Sequence, residues 1–264
     1  MPLCVITAGE KLPELSILAQ VLTSALKTDR SSAAIKARHC WGILGTGLDD
    51  AGAAELTALC AGLGIKTLTL PDSGTTKLPV PQPVKKVVFE NGQALFTGAG
   101  AQLTSALPED ILILAAAPIK EDFLKMVKSS EGPSAQEQAV RIGIMVATGL
   151  PIGMGKTKET KKEVKTSELS FYLDVILKDS RARLRLTSAA FDFSGLKEKK
   201  TYSSQVNFRL LCAELAAFAP GAFRNACALA MKEGRPLTML PYDSLADLET
   251  EELRLALARE NQHE

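Results

Sequence analysis

The stretch Gly149-Leu150-Pro151-Ile152-Gly153-Met154-Gly155-Lys156-Thr157 holds the residue types of a phosphate-binding loop. In such a loop, spaced G-x-x-x-x-G-K-[ST], backbone amides cradle phosphate, the lysine reaches its oxygens and the hydroxyl meets magnesium. Here five residues rather than four separate Gly149 from Gly155, and Leu150 stands where the frame needs glycine. No later apolar strand ending in Asp offers a magnesium partner. Gly153, Gly155, Lys156 and Thr157 are the candidate residues for a phosphorylated ligand. The competing reading is a flexible loop, Gly149–Ser167, joining two halves of a domain.

His39 and Cys40 adjoin. A thiol nucleophile needs an imidazole within hydrogen-bond reach, and on a strand neighbouring side chains point to opposite faces. The pair is therefore expected not to meet. The five cysteines, Cys4, Cys40, Cys60, Cys212 and Cys227, are odd in number and include no C-x-x-C pair. They read as reduced, buried hydrophobes of a cytoplasmic protein rather than disulfides or zinc ligands. No metal and no cofactor is expected. Asp49-Asp50 read as a helix cap, and Glu249, Glu251 and Glu252 as acids in a helix's first turn, where the dipole favours them.

Positive charge gathers at Lys156, Lys158, Lys161, Lys162 and Lys165 and at Arg181, Arg183 and Arg185. Segment 131–200 carries 13 basic and nine acidic residues, while 201–264 carries six and nine, which largely offsets the excess. Arg181, Arg183, Arg185, Lys161 and Lys162 are the candidate surface for an anionic partner, against an ordinary solvated face.

The elements that must position these residues follow from periodicity. Leu3–Thr7 suits a strand; Leu15, Leu18, Leu22, Ala25 and Leu26 recur at helical spacing. Asp49 can cap a second helix that ends near Gly62 and Gly64, before a strand at Ile65–Leu70. The order is β-α-β-α-β over 1–70. An extra strand at Ile35–Arg38 would make it ferredoxin-like, the favoured reading; without it the unit is a small parallel three-stranded sheet. Prolines at 71, 79, 81 and 83 mark an extended linker over 71–83 and a domain boundary. Residues 84–264 form the second domain, with an insertion at about 120–167. Asn91-Gly92 predicts a tight hairpin between Val84–Glu90 and Gln93–Thr97. Asp122–Ser129 reads as a short helix, and Gln136–Ala147 stays open between helix and strand. Leu169–Leu177 and Ala182–Thr187 form a hairpin whose register sets Asp174 opposite Arg185 and leucines opposite apolar partners. A bend is expected at Ser188–Ala190. Helices are expected at Ser204–Ala219, Gly221–Lys232 and Glu249–Arg259, the first with a buried stripe of Phe208, Leu211, Leu215 and Phe218.

Strands, an insertion, further strands and a helix carrying Phe208 and Phe218 resemble a split pleckstrin-homology-like barrel closed by its helix. Phe171-Tyr172-Leu173-Asp174, Phe191-Asp192-Phe193-Ser194 and Leu240-Pro241-Tyr242-Asp243 are similar to segments of a family of uncharacterised bacterial proteins of this layout. The resemblance implies an α+β protein, with the ferredoxin-like domain followed by a barrel that binds or scaffolds rather than catalyses. Phospholipid-binding barrels of this kind place basic residues around the first hairpin. Here only Lys85 and Lys86 flank Glu90-Asn91-Gly92, which argues against a lipid headgroup.

The 264 residues carry a net charge of +1, which argues against a dedicated nucleic-acid binder. No apolar stretch reaches the roughly 18 residues of a membrane span, and the N-terminus shows no secretory signal. Only two histidines leave little for acid–base chemistry. The expected function is a non-enzymatic cytoplasmic binding or assembly module with a protein partner. Two alternatives stand beside it: a phosphate- or nucleotide-binding enzyme using Gly149–Thr157, and a peripheral adaptor for an anionic partner.

Overall fold

Leu18, Val21 and Leu22 recur at helical spacing, and all three are buried along one face of α1 (Leu15–Leu26) in the computed structural model of the chain. The structure describes residues 1–72, 78–98, 100–131, 158–178, 182–237 and 242–261, with the backbone alone at 122–131 and 158–167. Helix α2 (Arg30–His39) starts at Asp29, whose carboxylate accepts from the amides of Ser31 and Ser32. Helix α3 (Asp50–Gly62) starts at Asp49, which accepts from the Gly52 amide as the sequence predicts.

These helices accompany β1 (Leu3–Thr7), β2 (Ile43–Leu48) and β3 (Thr67–Pro71), an antiparallel sheet of order β2-β1-β3. The extra strand expected at Ile35–Arg38 is helical instead. Ala33 and Ala37, four residues apart, are the buried positions of α2, a helical rather than a strand spacing. Nor is the sheet the parallel alternative. Two helices rather than one separate β1 from β2, and the additional pass reverses the chain direction.

A larger mixed sheet holds β4 (Gln82–Glu90), β5 (Gln93–Gly98), β6 (Leu103–Ala106), β7 (Ile111–Glu131), β8 (Lys158–Leu177), β9 (Arg183–Thr187) and β10 (Phe223–Arg224). Its order is β10-β7-β8-β9-β4-β5-β6. Strands β4 and β9 run parallel, as do β10 and β7, whereas β4–β5, β5–β6 and β8–β9 are antiparallel. Among the described residues β6 and β10 are its edges, and no pairing closes it into a barrel. Asn91 and Gly92 turn the β4–β5 hairpin with positive φ at both positions, 51° and 74°.

Strands β8 and β9 pair in the predicted register: Leu173 faces Leu186, Asp174 faces Arg185, and Val175 faces Leu184. The predicted bend at Ser188–Ala190 is a 3₁₀ turn. The short helix expected at Asp122–Ser129 is part of β7, and Lys158–Ser167, expected in a flexible loop, is the first half of β8. Thr160, Val164 and Thr166 stand at even positions there, a period of two among the lysines that favours a strand.

After the sheet come α4 (Ser204–Phe218), α5 (Ala226–Lys232) and α6 (Leu245–Glu260). Phe208, Leu211 and Leu215 of α4 are buried in the core of the large sheet, while Phe218 is partly buried against it. In β1, Val5 packs with Leu18, Leu22 and Leu56 on one face. Cys4 and Ile6 pack with Leu257 and Ala258 of α6 on the other, as strand alternation requires. Contacts divide the chain into two compact units, Met1–Ile119 with Leu169–Glu264, and Lys120–Glu168. The second holds residues 120–131 of β7 and 158–168 of β8, and its residues 132–157 lie outside the described ones. No helix among the described residues is long and apolar enough to cross a membrane.

Candidate functional site

Helix α6 begins at Ser244, whose hydroxyl accepts from the Asp247 amide while Asp247 reaches back to the Ser244 amide. This start, four residues earlier than periodicity suggests, moves Glu249, Glu251 and Glu252 out of the first turn. They do not serve the dipole. Glu251 and Glu252 are buried, at 1% and 0% exposure, and adjacent positions on a helix face different neighbours.

Glu252 faces the large sheet. Asp174 of β8 is fully buried and accepts four guanidinium contacts: Arg183 Nε at 2.6 Å, Arg185 Nε at 2.8 and 3.2 Å, and Arg185 Nη2 at 2.7 Å. Arg183 Nη1 donates to Glu249 at 3.1 Å. Arg183 Nη2 lies 2.9 Å from Glu252 Oε2 but makes no hydrogen bond of good geometry, and neither do the two Glu252 oxygens. Burial, and next the charge of Asp174, push the Glu252 carboxyl well above the ordinary glutamate value. The guanidinium of Arg185 also lies over the Tyr172 ring, 5.9 Å from its centroid.

The basic surface expected at Arg183 and Arg185 is therefore corrected at Arg183. It is 2% exposed and bound to three carboxylates, because α6 covers this face of the hairpin. Arg185 is largely covered by the same acids. Lys161 and Lys162 lie in β8, and Arg181 lies outside the described residues. Gly153, Gly155, Lys156 and Thr157, with the rest of Gly149–Thr157, lie outside them too.

Glu251 faces a second buried cluster. Asn225 caps α5 by accepting from the Ala228 amide, and the same oxygen accepts from the Ala116 amide of β7. Its Nδ2 donates to the Ala116 carbonyl at 2.8 Å and approaches Tyr242 Oη at 2.7 Å and Glu251 Oε2 at 3.0 Å. Tyr242 Oη donates to Glu251 Oε2 at 2.5 Å. Burial raises the Tyr242 and Glu251 pKa values, and the Glu251 charge raises Tyr242 further. Trp41 stacks on Tyr242 at 4.6 Å between centroids and 4° between planes. Its Nε1 donates to Asp247 Oδ1 at 3.0 Å.

One turn further along α6, Arg254 is buried and donates to the carbonyls of Gly9 and Glu10. Gly42 makes room for it: a Cβ there would come 2.4 Å from Arg254 Cδ and from Thr7 Oγ1, and its φ is +84°.

His39 and Cys40 are not on a strand; they end α2. Their side chains still part, Cys40 Sγ toward the Ala37 carbonyl and His39 Nδ1 toward Asp247 Oδ1 at 3.5 Å. His39, Asp243 and Asp247 bring possible ligand atoms within 4.8 Å of one another. Asp247 already accepts from Trp41 and from the amides of Asp243 and Ser244, and Arg38 pairs with Asp243 at 2.9 Å. A helix cap and an ion pair account for the group.

The cysteines are all free thiols. Burial pushes Cys212 and Cys227 far up and Cys4 up to about 11, away from the thiolate a nucleophile needs. A hollow beside Phe89, Gly195 and Glu214, and another beside Val84, Phe96 and Leu184, contain no member of either polar cluster. The polar network around Asn225 was missed in the sequence. Its one local signal is Asn225 itself, an N-cap residue type ahead of Ala226–Lys232. No protein-family model, curated protein or solved structure matches the chain.

Proposed function

We propose that the protein is a cytoplasmic, non-enzymatic binding or assembly module that acts on a protein partner. One observation carries the reading. The charged side chains of the two α6 clusters, among them Arg183, Asp174, Glu252, Glu251 and Arg254, are directed at one another or at backbone carbonyls rather than at a hollow. Substrate chemistry needs such groups beside a cavity; structural chemistry needs them paired and buried. The five free thiols support a reducing compartment. The packing of Phe208, Leu211 and Leu215 beneath the large sheet supports reading the C-terminal part as a pleckstrin-homology-like module.

Thermal melts with ATP and magnesium, with inorganic phosphate and with anionic lipid vesicles test the proposal, since a ligand of the native state must raise its melting temperature. No shift beyond about 1 °C is expected with any of them. A rise of several degrees with ATP, lost in Lys156→Ala, overturns it in favour of a nucleotide enzyme. A rise with vesicles that high salt abolishes overturns it in favour of the anionic-partner adaptor.

A further inference from the structure

Asp174 and Glu252, both at 0% exposure, lie against the same Arg183 guanidinium between α6 and the β8–β9 hairpin, at 2.6 and 2.9 Å. The donors available to them are the two guanidiniums of β9. Arg185 directs both Nε and Nη2 to Asp174; Arg183 directs Nε to Asp174 and Nη1 to Glu249. Glu252 receives only the oblique approach of Arg183 Nη2, and both its oxygens lack a hydrogen-bond partner. A buried carboxylate without donors is far costlier than a neutral acid that donates to a neighbouring carboxylate. Asp174 is that neighbour, paired with both arginines and the acid whose charge acts most on Glu252. The half-exposed Glu249 adds a third acid against the two arginines, at 46% side-chain exposure. Beyond this set, the charge of Glu252 acts on Tyr242, which supplies no positive charge.

We propose that Glu252 carries a proton at neutral pH and donates it to Asp174, and that this hydrogen bond latches α6 onto the β8–β9 hairpin, so that α6 loosens as the pH rises. The folded protein holds a proton here that the unfolded chain releases above about pH 4.3, the ordinary glutamate value. Folding therefore takes up a proton, and stability falls as pH rises between that value and the folded one. The direction is opposite to that of an ordinary salt-bridged carboxylate, which is lost in acid. Burial raises the folded value for Glu252 and, independently, for Glu251, so both act with the same sign.

The test compares melting temperatures of the wild type, Glu252→Gln and Glu251→Gln between about pH 5 and 9 at constant ionic strength. The wild-type value is expected to fall with rising pH by at least about 3 °C. Glu252→Gln, whose amide can donate to Asp174 at every pH, is expected to flatten that slope and to melt at or above the wild-type temperature at the alkaline end. Equal slopes in the wild type and Glu252→Gln overturn the proposal, as does a wild-type temperature that rises with pH. A carbon-13 titration of the wild-type glutamate carboxyls is the second measurement, and it does not depend on the variant folding. A Glu252 resonance that titrates near the ordinary glutamate value overturns the proposal; one that stays protonated through neutrality supports it.

Discussion

Asn225 ties three elements of secondary structure together through one side chain. It caps α5, completes the hydrogen bonding of Ala116 in β7, and reaches the acid and phenol that α6 and Tyr242 bring inward. Asn225→Ala would leave at least two buried backbone groups of Ala116 and the Ala228 amide unpaired. The expected loss is roughly 3–5 kcal/mol, from unsatisfied groups at about 1–3 kcal/mol each and a lost cap near 1. Denaturant melts check it; a loss below about 1 kcal/mol would mean that water takes over the amide's bonds. At this scale the sequence was partly legible. Asp49 as a cap and Asn91-Gly92 as a turn were readable because their chemistry is local. The roles of Glu251 and Glu252 were not, since an acid's partners are set by burial from elements far along the chain.

Helix α4 and the β8–β9 hairpin are the elements on which local pattern succeeded. Alternating leucines against arginines admit one register, because a slip of one residue would place arginine in the apolar layer. What alternation could not tell was that the polar face would also be covered, so that Arg183 ends nearly as buried as Leu184. For α4, Phe208 is 0% exposed and touches Phe171. Phe208→Ala is expected to cost about 3–5 kcal/mol by leaving a cavity. Phe218, only partly buried, is expected to cost less, although spacing alone ranks the two alike. Chemical denaturation of both variants checks the order, and an equal or reversed pair would mean that α4 sits differently. The charged run Lys158–Lys165 shows the opposite failure: a strand's period was present but hidden beneath lysines.

For the molecule as a whole, α6 works as a clasp, with apolar contacts to β1 through Leu257 and Ala258 and ionic ones to β8 and β9. Cys4 is a built-in reporter of that clasp. Its thiol lies beneath α6, where burial and then Asp72 raise its pKa to about 11. Alkylation followed by peptide mapping is expected to find Cys4 protected in the intact protein and at least about tenfold faster in a chain ending at Ser244. Equal rates would mean that α6 does not shield the sheet. This closure was invisible to any window-based reading, because its partners are nearly a whole chain apart.

The bond from Arg254 to the Gly9 carbonyl spans 245 positions. On a ribosome, β1 emerges long before the helix that covers its second face, so Cys4 and Ile6 stay uncovered while the intervening chain is made. Topology of this kind slows folding, since the entropy of closing so long a loop must be overcome before its contacts form. The nascent chain thus carries an apolar strand open to other chains until α6 is made, a period in which a holding chaperone would have something to grip.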